Sequence, residues 1–199
     1  MVKQPVSSAD VKQAVRERIW TALEASGASP RGAHGRIPDF VGSDQAAARL
    51  TELPQWQAAR VIKANPDRAQ LPVRQAALTA GRLVYMAVPR LADIRPFFRL
   101  DPVELTRQSV SLDEVAAHQR AAEFAPKVGV SEMQPADLIV CGTVAVNRQG
   151  VRTGKGAGYS DIEVGMLAEA GLISPQTTIV TTVHHGHGKV GVCLRGCGE

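Results

Sequence analysis

The pattern of apolar and polar positions predicts five helices. The first runs from about residue 9 to residue 25, with Ser8 as its N-cap. The others lie near residues 43–53, 73–80, 111–123 and 161–170. Ser111 and Glu114 have the spacing of a capping box at the start of the fourth helix. Two apolar stripes are expected to face the core, one formed by Val11, Ala14, Val15, Ile19, Ala22 and Leu23, and the other by Ile162, Met166 and Leu167.

Four mostly apolar runs between the helices are predicted to be strands, at residues 58–64, 83–88, 138–141 and 178–183. Residues 91–110 show neither the periodicity of a helix nor that of a strand and are predicted to be irregular. Strands that are apolar on both faces and alternate with helices are typical of parallel sheets covered on both sides. The sequence therefore predicts an α/β domain with a largely parallel sheet.

Composition limits the class of protein. The chain has 199 residues, 44% of them hydrophobic and 21% charged, which suits one soluble domain. It has no apolar run of membrane-spanning length and no signal-peptide core at its first residues. Its three cysteines do not suggest a disulfide framework. We therefore expect a cytoplasmic monomer without membrane contact.

The chain carries a small excess of positive charge, with a net charge of +4 and a pI of about 9.2. The basic residues are scattered, and aromatic residues make up only 4% of the chain. An extended RNA-binding face is therefore possible but unsupported. A single site for a few phosphates would account for the surplus equally well.

The most informative segment is the glycine loop, residues 152–161, with the sequence Arg-Thr-Gly-Lys-Gly-Ala-Gly-Tyr-Ser-Asp. Its alternate glycines allow several backbone N–H groups to converge on one anion, and a helix is predicted directly after it. Arg152 and Lys155 add two cations. The spacing fits neither the Walker loop nor the dinucleotide fingerprint. The loop is thus either a distinct phosphate site or a surface turn that binds nothing.

The first helix carries a second candidate feature. Lys12 and Arg16 lie one turn apart, with Trp20 one turn further on. These cations could face an anionic ligand, or they could form a solvated basic face beside the core.

Several motifs together resemble one family. Residues 137–146, the triplet Gly150-Val151-Arg152, and the glycine loop with Tyr159 and Asp161 resemble the 5-formyltetrahydrofolate cyclo-ligase family, also called methenyltetrahydrofolate synthetase. Lys12 and Arg16 match that family's opening helix. Residues 36–40 and 65–67, with Lys155, look closer to the branch of proteins that contain a methenyltetrahydrofolate synthetase domain. The resemblance covers about residues 10–184.

The resemblance implies a fold, a reaction and two cofactors. The fold would be a three-layer α/β/α sandwich similar to the NagB, RpiA and CoA-transferase enzymes. The reaction would be the ATP- and Mg²⁺-dependent closure of 5-formyltetrahydrofolate, a reduced folate of one-carbon metabolism, to 5,10-methenyltetrahydrofolate, ADP and phosphate. A ligase of this kind would mainly position its substrates and neutralise charge.

The resemblance also implies roles for individual residues. Lys12 and Arg16 would hold the triphosphate from one side, and Asp161 would bind Mg²⁺ directly or through water. Arg152, Lys155 and Tyr159 would be the catalytic residues. The nucleotide would further contact Gly154, Gly156, Ala157 and Gly158.

Some positions depart from the family pattern. Many family members have an aromatic residue at the position of Ser160, and some have a lysine at the position of Ala157. The glutamate that holds folate in the family has no clear counterpart here, and only Asn65 or Asp67 could take its place. Two alternatives therefore stay open. One is a non-catalytic nucleotide-binding or RNA-binding member of the family, and the other is a different phosphate-ester enzyme on a similar scaffold.

The last residues do not continue the family pattern. We divide the chain into a cyclo-ligase-like domain, residues 1–184, and an atypical tail, residues 185–199, expected to be disordered or altered. Without a terminal strand the sheet would have an uncovered edge. The alternative is a zinc site, whose candidate ligands are His184, His185, His187, Cys193 and Cys197.

Overall fold

A seven-stranded sheet forms the centre of the protein in a computed structural model that describes residues 7–91, 93–185 and 190–196. Its strands are β1 (Val61–Ala64), β2 (Leu83–Ala87), β3 (Phe97–Leu100), β4 (Lys127–Val128), β5 (Leu138–Val140), β8 (Thr178–His184) and β9 (Val190–Gly196). They lie in the order β4-β3-β2-β1-β5-β8-β9. A separate hairpin consists of β6 (Ala145–Val146) and β7 (Arg152–Thr153).

Helices cover both faces of this sheet. They are α1 (Ser8–Ala25), α2 (Ser43–Thr51), α3 (Pro54–Ala58), α4 (Leu71–Thr79), α5 (Pro102–Arg107), α6 (Leu112–Val115), α7 (His118–Phe124) and α8 (Tyr159–Glu169). None of these described helices is both long enough and apolar enough to cross a membrane.

The four central strands β2, β1, β5 and β8 are parallel, as the sequence predicts. Side chains alternate between two buried clusters because successive residues of a strand point to opposite faces. On one face, Ile62 packs with residues of α2 and α4. On the other face, Val61 packs with Leu167 of α8. The predicted three-layer α/β architecture is therefore confirmed.

Several predicted boundaries shift. Ser7, not Ser8, caps α1, and its hydroxyl accepts a hydrogen bond from the Asp10 backbone at 3.1 Å. The strand predicted from residue 58 begins at Val61, because α3 occupies the preceding residues. Val11 and Ile162, expected to face the core, are 53% and 51% exposed.

The prediction that residues 91–110 are irregular is wrong. Phe97–Leu100 forms β3, which pairs antiparallel with β2, and Pro102–Arg107 forms α5. Phe97, Phe98 and Leu100 are buried, so the pairing is reinforced by apolar contacts. The side chain of Asp101 caps α5 by accepting from the Val103 backbone N–H at 3.0 Å.

The expectation of an uncovered sheet edge after β8 is also wrong. Val190–Gly196 forms β9, which pairs antiparallel with the whole length of β8 from Thr178 to His184. The zinc alternative falls partly outside the described residues, which do not include His187 and Cys197. Within the described ranges, no three metal-binding side chains come together.

Candidate functional site

A cleft of about 600 Å³ opens at the carboxyl ends of the parallel strands. Its walls come from the segments that follow β1, β2 and β5, from α1, and from the glycine loop with the start of α8. Parallel sheets bind ligands at this edge because loops and helix N-termini meet there. The volume is in the range of sites for small molecules and cofactors.

The glycine loop connects β7 to the N-terminus of α8. Gly158 is the N-cap of α8 in the left-handed conformation, with φ 73°. Gly156 has φ 110°, which an L side chain rarely adopts. Among the residues that the structure describes, none accepts a hydrogen bond from the backbone N–H groups of residues 154–160. These N–H groups and the dipole of α8 are therefore available to an anion.

Helix α1 delivers its cations to this loop. The Arg16 Nε donates to the Gly154 carbonyl at 2.7 Å, and Lys12 lines the same cleft one turn earlier. A Cβ at Gly156 would lie 3.7 Å from the Arg16 Cζ, so the guanidinium packs on the bare backbone. Trp20 is buried, and its indole N–H donates to the Arg36 carbonyl at 3.0 Å. This contact anchors the middle of α1 and fixes the direction from which its cations approach.

Arg152 and Asp161 form an ion pair, with Arg152 Nη2 2.6 Å from Asp161 Oδ1. The Arg152 side chain is only 18% exposed, whereas that of Asp161 is 78% exposed. Lys155, Ala157 and Tyr159 line the cleft as well. Every residue that the sequence analysis assigned to the nucleotide site thus lies at this one cleft.

The cleft is strongly basic. Seven Lys or Arg side chains line it against three carboxylates, those of Asp67, Asp161 and Glu163. The basic residues are Lys12, Arg16, Arg68, Arg74, Arg90, Arg152 and Lys155. Such a concave surface of one sign attracts polyanions.

Magnesium fits this site only as a partner of a phosphate ligand. Asp161 is an exposed carboxylate beside the loop, and Mg²⁺ commonly uses one or two carboxylates together with phosphates and waters. Over the described residues there is no dedicated protein cage for a cation.

Asp67 lines the cleft close enough to Lys155 to feel its charge. Burial raises the pKa of Asp67, and the nearby charges of Lys155 and Arg74 partly offset this rise. Its carboxylate occupies the space beside Gly142, where a Cβ would lie 2.3 Å from Asp67 Oδ2. The residue at position 142 must therefore be glycine if Asp67 is to keep this place.

Residues that the sequence analysis did not assign to the site complete it. The buried Arg74 donates to the carbonyls of Asn65, Pro66 and Asp67 after β1, and its Nε donates to the Ala116 carbonyl at 2.7 Å. Burial lowers the pKa of Arg74 to about 10. This one side chain holds the turn that presents Asp67. In the sequence, Arg74 is an arginine within a predicted helix, and no pattern around it indicates that it holds this turn.

His118 also lines the cleft, at the start of α7. Burial lowers its pKa, and the positive charges of Arg74 and Arg68 lower it further. The site therefore gains a neutral imidazole at pH 7, which can both donate and accept a hydrogen bond.

The raised pKa of Asp67 predicts a pH-dependent effect of the Asp67→Asn substitution. A carboxyl with a raised folded-state pKa favours folding when protonated, and this contribution is lost as the pH rises through that pKa. In an assay at about pH 7.5, the Asp67→Asn variant should therefore have a higher melting temperature than the wild type. The gap should shrink as the pH falls toward the usual pKa of an aspartate. Thermal unfolding across this pH range measures it, and a gap that widens on acidification would contradict the assignment.

Comparison with known proteins is consistent with these features. A sequence model of the 5-formyltetrahydrofolate cyclo-ligase family matches residues 8–188. The chain is 37% identical over 175 residues to a methenyltetrahydrofolate synthase domain-containing protein of Mus musculus, covering 87% of this chain and 46% of that protein. Identity to the protein of the same name from Danio rerio is 32% over 182 residues, covering 90% and 47%. The chain spans about half the length of the curated relatives it matches.

Proposed function

Because the chain belongs to the 5-formyltetrahydrofolate cyclo-ligase family, we propose that its cleft converts 5-formyltetrahydrofolate to 5,10-methenyltetrahydrofolate. ATP is consumed, and ADP and phosphate are released. The observation that carries the proposal is the cradle of available N–H groups at residues 154–160, faced by Lys12 and Arg16 from α1. We propose that this enzyme is a cytoplasmic monomer.

The glycine loop and α1 would bind the triphosphate between them. The N–H groups around Gly154, Gly156 and Gly158 would hold phosphate oxygens from one side. Lys12 and Arg16 would neutralise charge from the other side. Asp161 would share Mg²⁺ with the phosphates, and the positive charge of Mg²⁺ would help to neutralise the triphosphate when it binds.

Arg152 is a further cation for the nucleotide. It pairs with Asp161 at 2.6 Å. Asp161 is exposed and would serve as a carboxylate ligand of Mg²⁺, and the guanidinium of Arg152 would neutralise charge on the transferring phosphoryl group. Lys155 lines the same cleft, its charge lowers the pKa of Asp67, and it would be the second cation that acts on the transferring phosphoryl group.

The reaction activates an amide-like oxygen that is otherwise a poor leaving group. The formyl oxygen takes the γ-phosphoryl group of ATP, and ADP leaves. The folate N10 then attacks the formyl carbon and loses its proton, and the carbon–oxygen bond breaks with release of phosphate. Most of the work of the protein is positioning and charge neutralisation.

Asp67 and Asn65 are our candidates for holding the folate. Both line the cleft directly after β1, and Asn65 Nδ2 donates to Ser160 Oγ at the end of the glycine loop at 2.6 Å. Tyr159 begins α8 and would lie at the junction of folate and nucleotide. A buried carboxyl such as Asp67 can pair with a ring N–H of a reduced folate.

An absorbance assay tests the proposed reaction. Mixing the protein with 5-formyltetrahydrofolate and MgATP should produce the absorbance of the methenyl product. Omitting ATP, or chelating Mg²⁺, should abolish the rise. If nucleotide raises the melting temperature but no product forms, the chain is a non-catalytic nucleotide-binding member of the family. Salt-sensitive retention of RNA without turnover would instead indicate the RNA-binding alternative.

A further inference from the structure

We infer that the buried Lys63 is a positioning residue, which holds the first turn of α8 and the side chain of Asn65 in the geometry that the cleft needs. The inference rests on the proposed function only for its ligand, MgATP. Four residues carry it, and we call them the Lys63 network: Lys63 from β1, Asn65 directly after β1, and Ser160 and Glu163 from α8.

The contacts of the Lys63 network link strand and helix. The Lys63 ammonium is fully buried and forms an ion pair with Glu163. It also donates to Asn65 Oδ1 at 2.9 Å, and Asn65 Nδ2 donates to Ser160 Oγ at 2.6 Å. Asn65 directly follows β1, two residues after Lys63, and Ser160 and Glu163 lie one turn apart on α8. The four side chains thus tie the start of α8 to the end of β1 at two points.

The network also fixes which way the Asn65 amide points. An ammonium group can only donate hydrogen bonds, so Asn65 must turn its oxygen toward Lys63. The NH₂ group then faces Ser160 and the cleft. The Asn65 backbone is held as well, by its N–H bond to the Val140 carbonyl at 3.1 Å and by Arg74 on its carbonyl. Asn65 is therefore presented to the cleft as a hydrogen-bond donor in one orientation.

Stability alone does not explain a charged pair at this place. Lys63 and Glu163 lie beside an otherwise apolar cluster that includes Val61, Ile139 and Leu167. Replacing a buried ion pair by apolar residues of similar volume is often neutral or stabilising. An apolar pair could fill this space, but it could not orient Asn65 or direct the start of α8. The amides proposed to hold the triphosphate, at residues 154–160, lead into this turn and include its first two residues.

The double substitution Lys63→Met/Glu163→Leu separates positioning from stability. It removes both charges together, so the melting temperature should stay near that of the wild type. The dissociation constant of MgATP, measured by calorimetry, should nevertheless rise by about tenfold to a hundredfold, as expected when one charge-assisted hydrogen bond to phosphate is lost. Amide hydrogen exchange in the first turns of α8 should become faster by about tenfold.

Leu100→Ala is the matched control, because Leu100 is fully buried in β3 outside the cleft. This substitution should lower the melting temperature, yet below that temperature it should leave both MgATP affinity and α8 exchange unchanged. If the double variant binds MgATP like the wild type and exchanges α8 amides at the wild-type rate, Lys63 is not a positioning residue. If the wild type itself does not bind MgATP, the proposed function fails, and the exchange rates alone decide the inference.

Ser160→Ala provides a second test should the double variant fail to fold. It breaks only the outermost contact of the network, that with Asn65, at a half-buried position. MgATP affinity should fall by about threefold to tenfold, the effect of one ordinary hydrogen bond. Ser160→Thr keeps the hydroxyl and should restore most of this loss. An alanine variant with wild-type affinity and wild-type α8 exchange would overturn the inference.

Discussion

Arg16→Ala is expected to weaken MgATP binding by about tenfold to a hundredfold. The side chain supports the site in two ways, since its Nε donates to the Gly154 carbonyl at 2.7 Å and its guanidinium packs on Gly156. The substitution removes one charge-assisted contact to phosphate, worth about 1.5–3 kcal/mol, where ~1.4 kcal/mol is tenfold in affinity. It also releases the loop from α1. Calorimetric titration with MgATP measures the effect.

Arg18→Ala is the control for Arg16→Ala, because it removes the same charge from an exposed position of the same helix that does not line the cleft. It should change MgATP affinity by less than about twofold at physiological ionic strength, where exposed charges are screened. Equal losses in both variants would mean that net charge, rather than the Arg16 contact, governs binding. Wild-type affinity in Arg16→Ala would remove α1 from the nucleotide site.

The central strands were predictable because their burial is a local property of the sequence. β1, β2, β5 and β8 are buried on both faces, so each appears as an apolar run that ends at a turn signal. β3 was missed for the opposite reason. Phe97–Leu100 is four residues long and contains Arg99, and its strand conformation depends on pairing with β2 and on burial between neighbouring segments. Long-range pairing of this kind leaves no periodic signal in so short a segment.

The last strand shows a related limit. Residues 190–196 contain glycine and little alternation, which indicated a tail without strand structure. Their backbone nevertheless pairs with β8 along its whole length, because the ladder uses main-chain groups that every residue other than proline supplies. Pairing therefore overrides the weak local preference.

The candidate site also has one part that the sequence predicted and one part that it did not. The glycine loop is a local motif, so a candidate anion site with unconstrained glycine backbone could be proposed from spacing and backbone chemistry. The Lys63 network could not, since Lys63 and Glu163 are 100 residues apart in the chain. A lysine within the apolar run of β1 was the one available signal, because a charge inside a buried strand needs a partner. The position of that partner depends on the packing of α8.

Gly142→Ala is expected to lower turnover of 5-formyltetrahydrofolate by about a hundredfold while changing MgATP affinity by less than about threefold. The new Cβ would lie 2.3 Å from Asp67 Oδ2 and 3.2 Å from Ile37 Cγ2, so the carboxyl of Asp67 must move. Arg74 holds the backbone of Asp67, so the carboxyl must move by rotation of its short side chain or by a shift of that turn. A displacement of about 1 Å is enough for a hundredfold loss when the group positions a reacting substrate.

The nucleotide half of the cleft should be spared, because the triphosphate is proposed to bind to the N–H groups of residues 154–160 and not to the turn that carries Asp67. Gly165→Ala is the matched control, since no atom lies within 4 Å of a Cβ built there and the residue is in the interior of α8. That substitution should raise stability by roughly 0.5–1 kcal/mol and leave turnover unchanged. Steady-state kinetics and calorimetry on the two variants make the comparison. If Gly142→Ala loses MgATP affinity as much as turnover, Asp67 belongs to the nucleotide half. If it loses neither, the carboxyl of Asp67 takes no part in holding the folate.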